Sequence, residues 1–230
     1  MSPSFPSSLL RGMASAVVCS SLGCAEGQLG QTTFSDPCAS SDAACSAGGS
    51  ATVDDTRLPL AIGGRRPLVI RPDVLGALSA PLQLRPVAPD IIDVDGDVLI
   101  GNGEGIAAVL VVTDSGAVVD VVHVAVQKPQ RMSLHRSVDG GAVVDERALP
   151  DAVKLFADEE INLRLGVYGG AQELAGDLGE AWAVDNPAFR LADQGFARER
   201  RLRAPAEGSG TLTVTLPTGL TTTIRFEVIP

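Results

Sequence analysis

Residues 89–126 read PDIIDVDGDVLIGNGEGIAAVLVVTDSGAVVDVVHVAV, and the reading of this stretch decides the fold. Its apolar runs are separated by short turn signals. Asp95-Gly96 and Asp114-Ser115-Gly116 carry tight-turn chemistry, because Gly accepts φ > 0 and an Asp side chain bonds its own backbone. Between them Val109, Leu110, Val111 and Val112 form one β-branched run, and Val118 to Val126 form another. Runs of this length between turn residues predict strands of a packed sheet rather than helices. The expected product is a β-meander forming the second half of a sandwich.

Working outward, Leu58 to Ile62 and Pro67 to Ile70 read as first strands around Gly63-Gly64, with Leu82 and Leu84 marking a third. Turn signals about every ten residues suit a sandwich. Met132-Ser-Leu-His opens a second β-rich half. Residues 149–156 stay open between one helical turn and an irregular strand connection. Ile161, Leu163, Leu165 and Val167 alternate with polar or small residues, a half-buried strand. Ala181-Trp182-Ala183-Val184 then leads into the turn Asp185-Asn186-Pro187, and residues 207–228 form a strictly alternating hairpin. The halves repeat: Glu104-Gly105 and Gly116 recur as Glu207-Gly208 and Gly219, each 103 residues on. A period near 100 residues is one sandwich domain.

Pro89 to Ile92, Val94 to Val98 and Gly103 to Val112 resemble, in order, the bacterial immunoglobulin-like domains of group 2. In that family a strand ending in Val-Asp passes through a Gly turn, and a Gly-x-Gly precedes a strand of small and β-branched residues. The resemblance covers residues 57–127. It departs where Arg85 or Leu84 stands at a position that many members give to an aromatic residue. The fold it implies is all-β: two tandem immunoglobulin-like β-sandwich domains, 57–127 and 128–230, after a disordered N-terminal leader and tether. In such sandwiches a Trp on an inner strand packs the core, so Trp182 is expected to be a core residue.

Aromatics are only 3 % of the chain, so the core is expected from Val, Leu, Ile and Ala. The net charge of −10 argues against a nucleic-acid partner, whose phosphates need clustered Lys and Arg.

Residues 1–23 contain no acid and one base, Arg11, followed by a modest apolar segment and Ser21-Leu22-Gly23-Cys24. This is the composition of a secretory signal, and its end resembles a lipoprotein box in which Cys24 is lipidated. Ser at position 21 and the serines within the apolar segment depart from that pattern. The expected place is the cell envelope, at the outer membrane or cell surface, with the membrane as a partner through lipid on Cys24. Residues 24–56 read as a low-complexity tether. Once Cys19 is removed with the leader, Cys38 and Cys45 are the remaining thiols, and in an exported chain they are expected to pair as a disulfide.

Asp93, Asp95, Asp97 and Glu104 occupy positions one, three, five and twelve of a calcium-loop pattern, but Val98 holds its glycine position and Asp95-Gly96 reads better as a hairpin. GNGEG at 101–105 lacks phosphate-loop spacing and precedes a strand. His123 and His135 have no neighbouring motif that completes a catalytic triad. The run Arg198 to Arg203 reads as a solvated face, with a partner patch as the alternative. The expectation is therefore no catalytic residue, no metal and no cofactor. The function expected is a non-catalytic lipoprotein acting as a surface binding, adhesion or spacer module, with a protein or polysaccharide partner. The alternative is an accessory, for example carbohydrate-binding, domain of an extracellular enzyme system.

Overall fold

The computed structural model describes residues 32–35, 58–72, 81–137, 147–193 and 198–229. Cys24, Cys38 and Cys45 lie outside the described residues, as does the leader. Among the described residues every regular element is a strand. The first half holds β1 (Thr32–Ser35), β2 (Leu60–Ala61), β3 (Arg65–Pro67), β4 (Val69–Pro72), β5 (Leu82–Pro86), β6 (Ile92–Asp95), β7 (Val98–Gly101), β8 (Gly105–Thr113) and β9 (Val118–Gln127). The second holds β10 (Arg131–Ser137), β11 (Ala152–Phe156), β12 (Glu160–Gly169), β13 (Gln172–Glu173), β14 (Ala181–Val184), β15 (Arg190–Asp193), β16 (Glu199–Arg203), β17 (Gly208–Thr215) and β18 (Thr221–Ile229).

Each half is a sandwich of the same plan. In the second, one sheet has the order β10-β12-β16-β15 and the other β11-β18-β17-β14, with β11 parallel to β18. The two sheets of the constant-type immunoglobulin domain have these neighbours, A-B-E-D facing G-F-C. The first half repeats them in reduced form. Its sheet β2-β9-β8-β5 faces the three-stranded β3-β7-β6, and β2 again runs parallel to the last strand. The chain thus carries two immunoglobulin-like sandwiches in tandem. Residues 32–35, within the stretch read as tether, form a strand that pairs antiparallel with β4.

The hairpins sit where the turn chemistry placed them. Gly96 closes β6 to β7, and Gly116 and Gly219 occupy equivalent turns with φ of 83° and 86°, a conformation that L side chains resist. The repeat extends beyond those turns. β8 and β17 begin 103 residues apart, as do β9 and β18, and Leu84 opposite Val111 corresponds to Trp182 opposite Val214.

Alternation fills the two cores. Val109 and Val111 on β8 and Val122, Val124 and Val126 on β9 point into the first sandwich, where they meet Leu99 and Ile92. Ile161, Leu163, Leu165 and Val167 are all buried in the second, with Leu202, Leu212 and Phe226. Residues 152–156 form a strand, not a helical turn, because Val153 and Leu155 alternate inward and pair in register with Phe226 and Val228.

Candidate functional site

Two features of this fold have the construction of working parts: the junction between the sandwiches, and the outer face of the sheet β10-β12-β16-β15.

At the junction, β9 ends at Gln127 and β10 begins at Arg131, so the connection is short and contains Pro129. Strand β2 carries the contact between units. Leu60 and Ala61 pair on one side with Val126 and Gln127 of β9, and on the other Leu60 bridges to Ala175 of the second sandwich. Ala61 N–H donates to the Ala175 carbonyl at 3.0 Å, and Ala175 N–H to the Pro59 carbonyl at 2.8 Å. Arg65 and Asp177 exchange both of their backbone hydrogen bonds at 2.8 Å. Backbone donors and acceptors buried between two bodies cost free energy unless paired, so this seam holds one relative placement. Ala61 counts among the buried residues of the second core, which makes the packing continuous across the seam.

The 174–178 loop is held from behind by Arg198. Its guanidinium donates to the Leu174 carbonyl at 2.7 Å and to the Gly176 carbonyl. Burial pushes its acidity constant down, while Glu180 and Glu173 push it up; a guanidinium stays protonated in proteins. Arg198 has φ of 64°, a left-handed backbone that a non-glycine residue holds at a cost of about 1–3 kcal/mol. The expectation of a solvated face over 198–203 is corrected here. Arg198 and Glu199 are buried, because the strand turns its first residues under the loop instead of toward solvent.

On the outer sheet face, register sets Arg131 opposite Tyr168, Ser133 opposite Gly166, His135 opposite Arg164 and Ser137 opposite Asn162. Gly166 leaves room for the Tyr168 ring to fold back along its strand: a Cβ there would lie 2.6 Å from the phenol oxygen. The phenol and Ser133 Oγ both reach His135 Nε2, at 3.1 and 2.8 Å, and the Arg131 guanidinium stacks over the Tyr168 ring at 4.0 Å. His135 is buried, and among the described residues its Nδ1 has no hydrogen-bond partner. A serine nucleophile needs its histidine oriented by a third group on that other nitrogen. Two hydroxyls converging on one ring nitrogen lock the imidazole in place. Neither His135 nor His123, which is exposed on β9, lines the shallow depression near Arg190.

The acidic hairpin makes local contacts. Asp93 Oδ1 accepts from Val94 N–H at 2.8 Å, Asp95 pairs with Arg65 at 3.1 Å, and the Asp97 carbonyl accepts from Leu68 N–H. Among the described residues no three His, Cys, Asp or Glu side chains are grouped to hold a metal. No helix there is long and apolar enough to cross a membrane.

Trp182 sits at the margin of the second core, half-buried on the edge strand β14. Its indole N–H faces Glu180 at 3.4 Å, and Arg200 lies over its ring at 5.6 Å, held there by Asp193 at 3.4 Å. Because one face of the ring rests on the core and the other on a guanidinium, Trp182→Ala is expected to cost roughly 1.5–2.5 kcal/mol, about half the value for a fully buried indole. Thermal unfolding of the variant measures this. Emission at an intermediate wavelength, between a buried and a free indole, is the accompanying spectral result. Past the strand, Asp185 Oδ1 accepts from Thr211 N–H at 2.7 Å, which holds that carboxyl below its usual range.

No protein-family model matches the chain, and no curated protein does. Among solved structures it is similar to domains 4 and 5 of the S-layer protein SbsC, with a TM-score of 0.32 and 12 % identity over 87 % of this chain and 98 % of that one. It is similar also to the Escherichia coli adhesin FdeC, with a TM-score of 0.31 and 13 % identity over 75 % and 60 % of the two chains. The fibronectin(III)-like modules of Clostridium thermocellum CbhA give a TM-score of 0.26 and 13 % identity over 74 % and 88 %.

Proposed function

We propose that this chain is a non-catalytic envelope lipoprotein whose two immunoglobulin-like sandwiches, the first of bacterial group 2 type, act as a fixed-geometry binding or spacer module at the cell surface. The observation that carries the reading is the seam at Pro59–Arg65 and Ala175–Asp177. A hydrogen-bonded, glycine-fitted contact between tandem domains gives a spacer a defined direction, which a flexible linker would not. The acid-free leader ending in Leu22-Gly23-Cys24 supports attachment through acyl chains on Cys24, with Cys38 and Cys45 pairing in the oxidising compartment outside. The face carrying Ser133, His135 and Tyr168 supports a structural role for those groups, since both hydroxyls converge on one imidazole nitrogen and fix the ring.

The test is metabolic labelling of the native host with an alkyne fatty acid, followed by intact-mass measurement. The full chain is expected to take up label and to lose residues 1–23, and Cys24→Ala is expected to abolish the label. Unlabelled protein that still carries Met1 would overturn the envelope assignment.

A further inference from the structure

One corner of the outer face of β10-β12-β16-β15 has an electrostatic imbalance. Arg190 of β15 lies directly opposite Arg203 of β16, and like charges so placed in an antiparallel pair repel. Arg203 is answered by acids: its Nη2 is 3.2 Å from Asp158 Oδ1, and its Nη1 is 3.9 Å from Glu160 Oε1. Glu160 also faces Arg201, at 3.9 Å. Arg190 is exposed, and its side chain has no ion pair or hydrogen bond among the described residues. The charge of Arg190 therefore adds to that of Arg203 at this corner.

These side chains edge an open depression of about 210 Å³, lined by Asp158, Ala188, Arg190, Arg203, Ala204 and Pro205. That volume is below the roughly 300–1,000 Å³ of a pocket enclosing a drug-sized ligand, so it suits one charged group on a larger molecule. Two guanidinium groups side by side offer planar forks of N–H donors matched to an oxyanion. Ala188 and Pro205 border the depression beside the two guanidinium groups.

We infer that the Arg190–Arg203 notch binds the carboxylate or sulfate groups of an acidic polysaccharide. The inference rests on the surface-module reading and gives that module a ligand class. A single shallow contact is weak alone, but repeated anions on one polymer engaging many copies on a surface multiply it. The chain's net charge of −10 disfavours a densely charged polyphosphate, whereas an acidic polysaccharide spaces its charges along a ring backbone.

Affinity electrophoresis of the purified full chain tests this, in gels containing polygalacturonate, chondroitin sulfate or neutral dextran. The expected result is retardation by an acidic polymer, weakened by salt, and none by dextran. Arg190→Ala and Arg190→Glu should weaken retardation about tenfold or more, with unchanged melting temperature, and Arg190→Lys should restore part of it. Retardation of Arg190→Glu equal to the parent, or equal retardation by dextran, overturns the proposal. So does saturable binding of inorganic sulfate without binding of either acidic polymer, which would mean a free-anion site only. Retardation by polyglutamate where neither polysaccharide acts would overturn it in favour of an acidic protein. The gels use protein in solution, so their outcome is independent of the acylation result that tests the envelope reading.

Discussion

Gly176→Val is expected to turn one cooperative thermal transition into two. In the parent the sandwiches share strand β2, and four backbone hydrogen bonds join Pro59, Ala61 and Arg65 to Ala175 and Asp177. Gly176 lies in the middle of that contact with φ of 99°. A Cβ there would meet Leu60 Cδ1 at 2.7 Å and Gly64 Cα at 3.2 Å. A β-branched residue meets both objections at once, since it resists positive φ and brings added bulk against Leu60 and the Gly64 backbone. The strain of about 1–3 kcal/mol acts against the docked state, which the seam bonds hold at only about 0.5–1.5 kcal/mol each, so the variant shifts the balance toward an undocked loop. The two sandwiches then melt separately and tumble with shorter correlation times in NMR relaxation. Arg198→Met is an independent route to the same state. It keeps much of the side-chain volume but removes the donors to the Leu174 and Gly176 carbonyls, from the far side of the loop. A single transition and an unchanged correlation time in both variants would mean that the seam does not couple the domains.

The strand content was legible because period-two alternation and glycine turns are local signals. β6 to β9 occupy the quoted stretch almost residue for residue, and the shift of 103 residues recovers equivalent strands in both sandwiches. Residues 152–156 were ambiguous in sequence because five residues with Pro150 before them fit a helical turn as well as a strand. The parallel partner β18 decides the matter, and it lies some seventy residues away. Strand β1 was hidden for a related reason. Thr32–Ser35 sits in a low-complexity stretch, and its pairing with β4 is a backbone event that leaves no apolar period.

The candidate sites were the least legible. Ala175, Gly176 and Asp177 carry no motif; they matter because an edge strand from the other sandwich passes beside them. Within Arg198 to Arg203, charge alone suggested one solvated face. Strand alternation, a buried start and the neighbouring β14 instead give the arginines separate roles. Arg198 clamps the loop, Arg200 covers Trp182, and Arg201 and Arg203 stand on the outer face. A sequence signal did exist for Gly166 and Tyr168, a glycine two residues before an aromatic in a regular strand. Its meaning appears only with His135 in register alongside.

Phe226→Ala is expected to unfold the second sandwich at temperatures where the first persists in a seam-broken background. Among the described residues Phe226 is the largest fully buried side chain. It lies on β18, flanked by β17 and β11, so both backbone neighbours are fixed and the site is poorly able to collapse around a cavity. Its ring centroid is 6.4 Å from that of Phe189 at 38°, a tilted aromatic pair that adds to the area it buries. Truncation removes the transfer free energy of the ring, leaves a cavity among aliphatic neighbours and breaks the pair, for about 3–5 kcal/mol in total. For a domain of roughly 100 residues each kcal/mol shifts the midpoint by about 4–8 °C, so a fall of at least about 12 °C is expected. Trp182→Ala, at the margin of the same core, should move it by about half as much. Calorimetry of the two variants side by side makes the comparison. If Trp182→Ala proved the more damaging, the weight of this core would rest on the edge strand β14 and not on β18. Phe226→Leu separates volume from aromatic pairing: it refills most of the cavity, so recovery of most of the lost stability is expected, with a residual deficit of about 0.5–1.5 kcal/mol from the missing partner of Phe189.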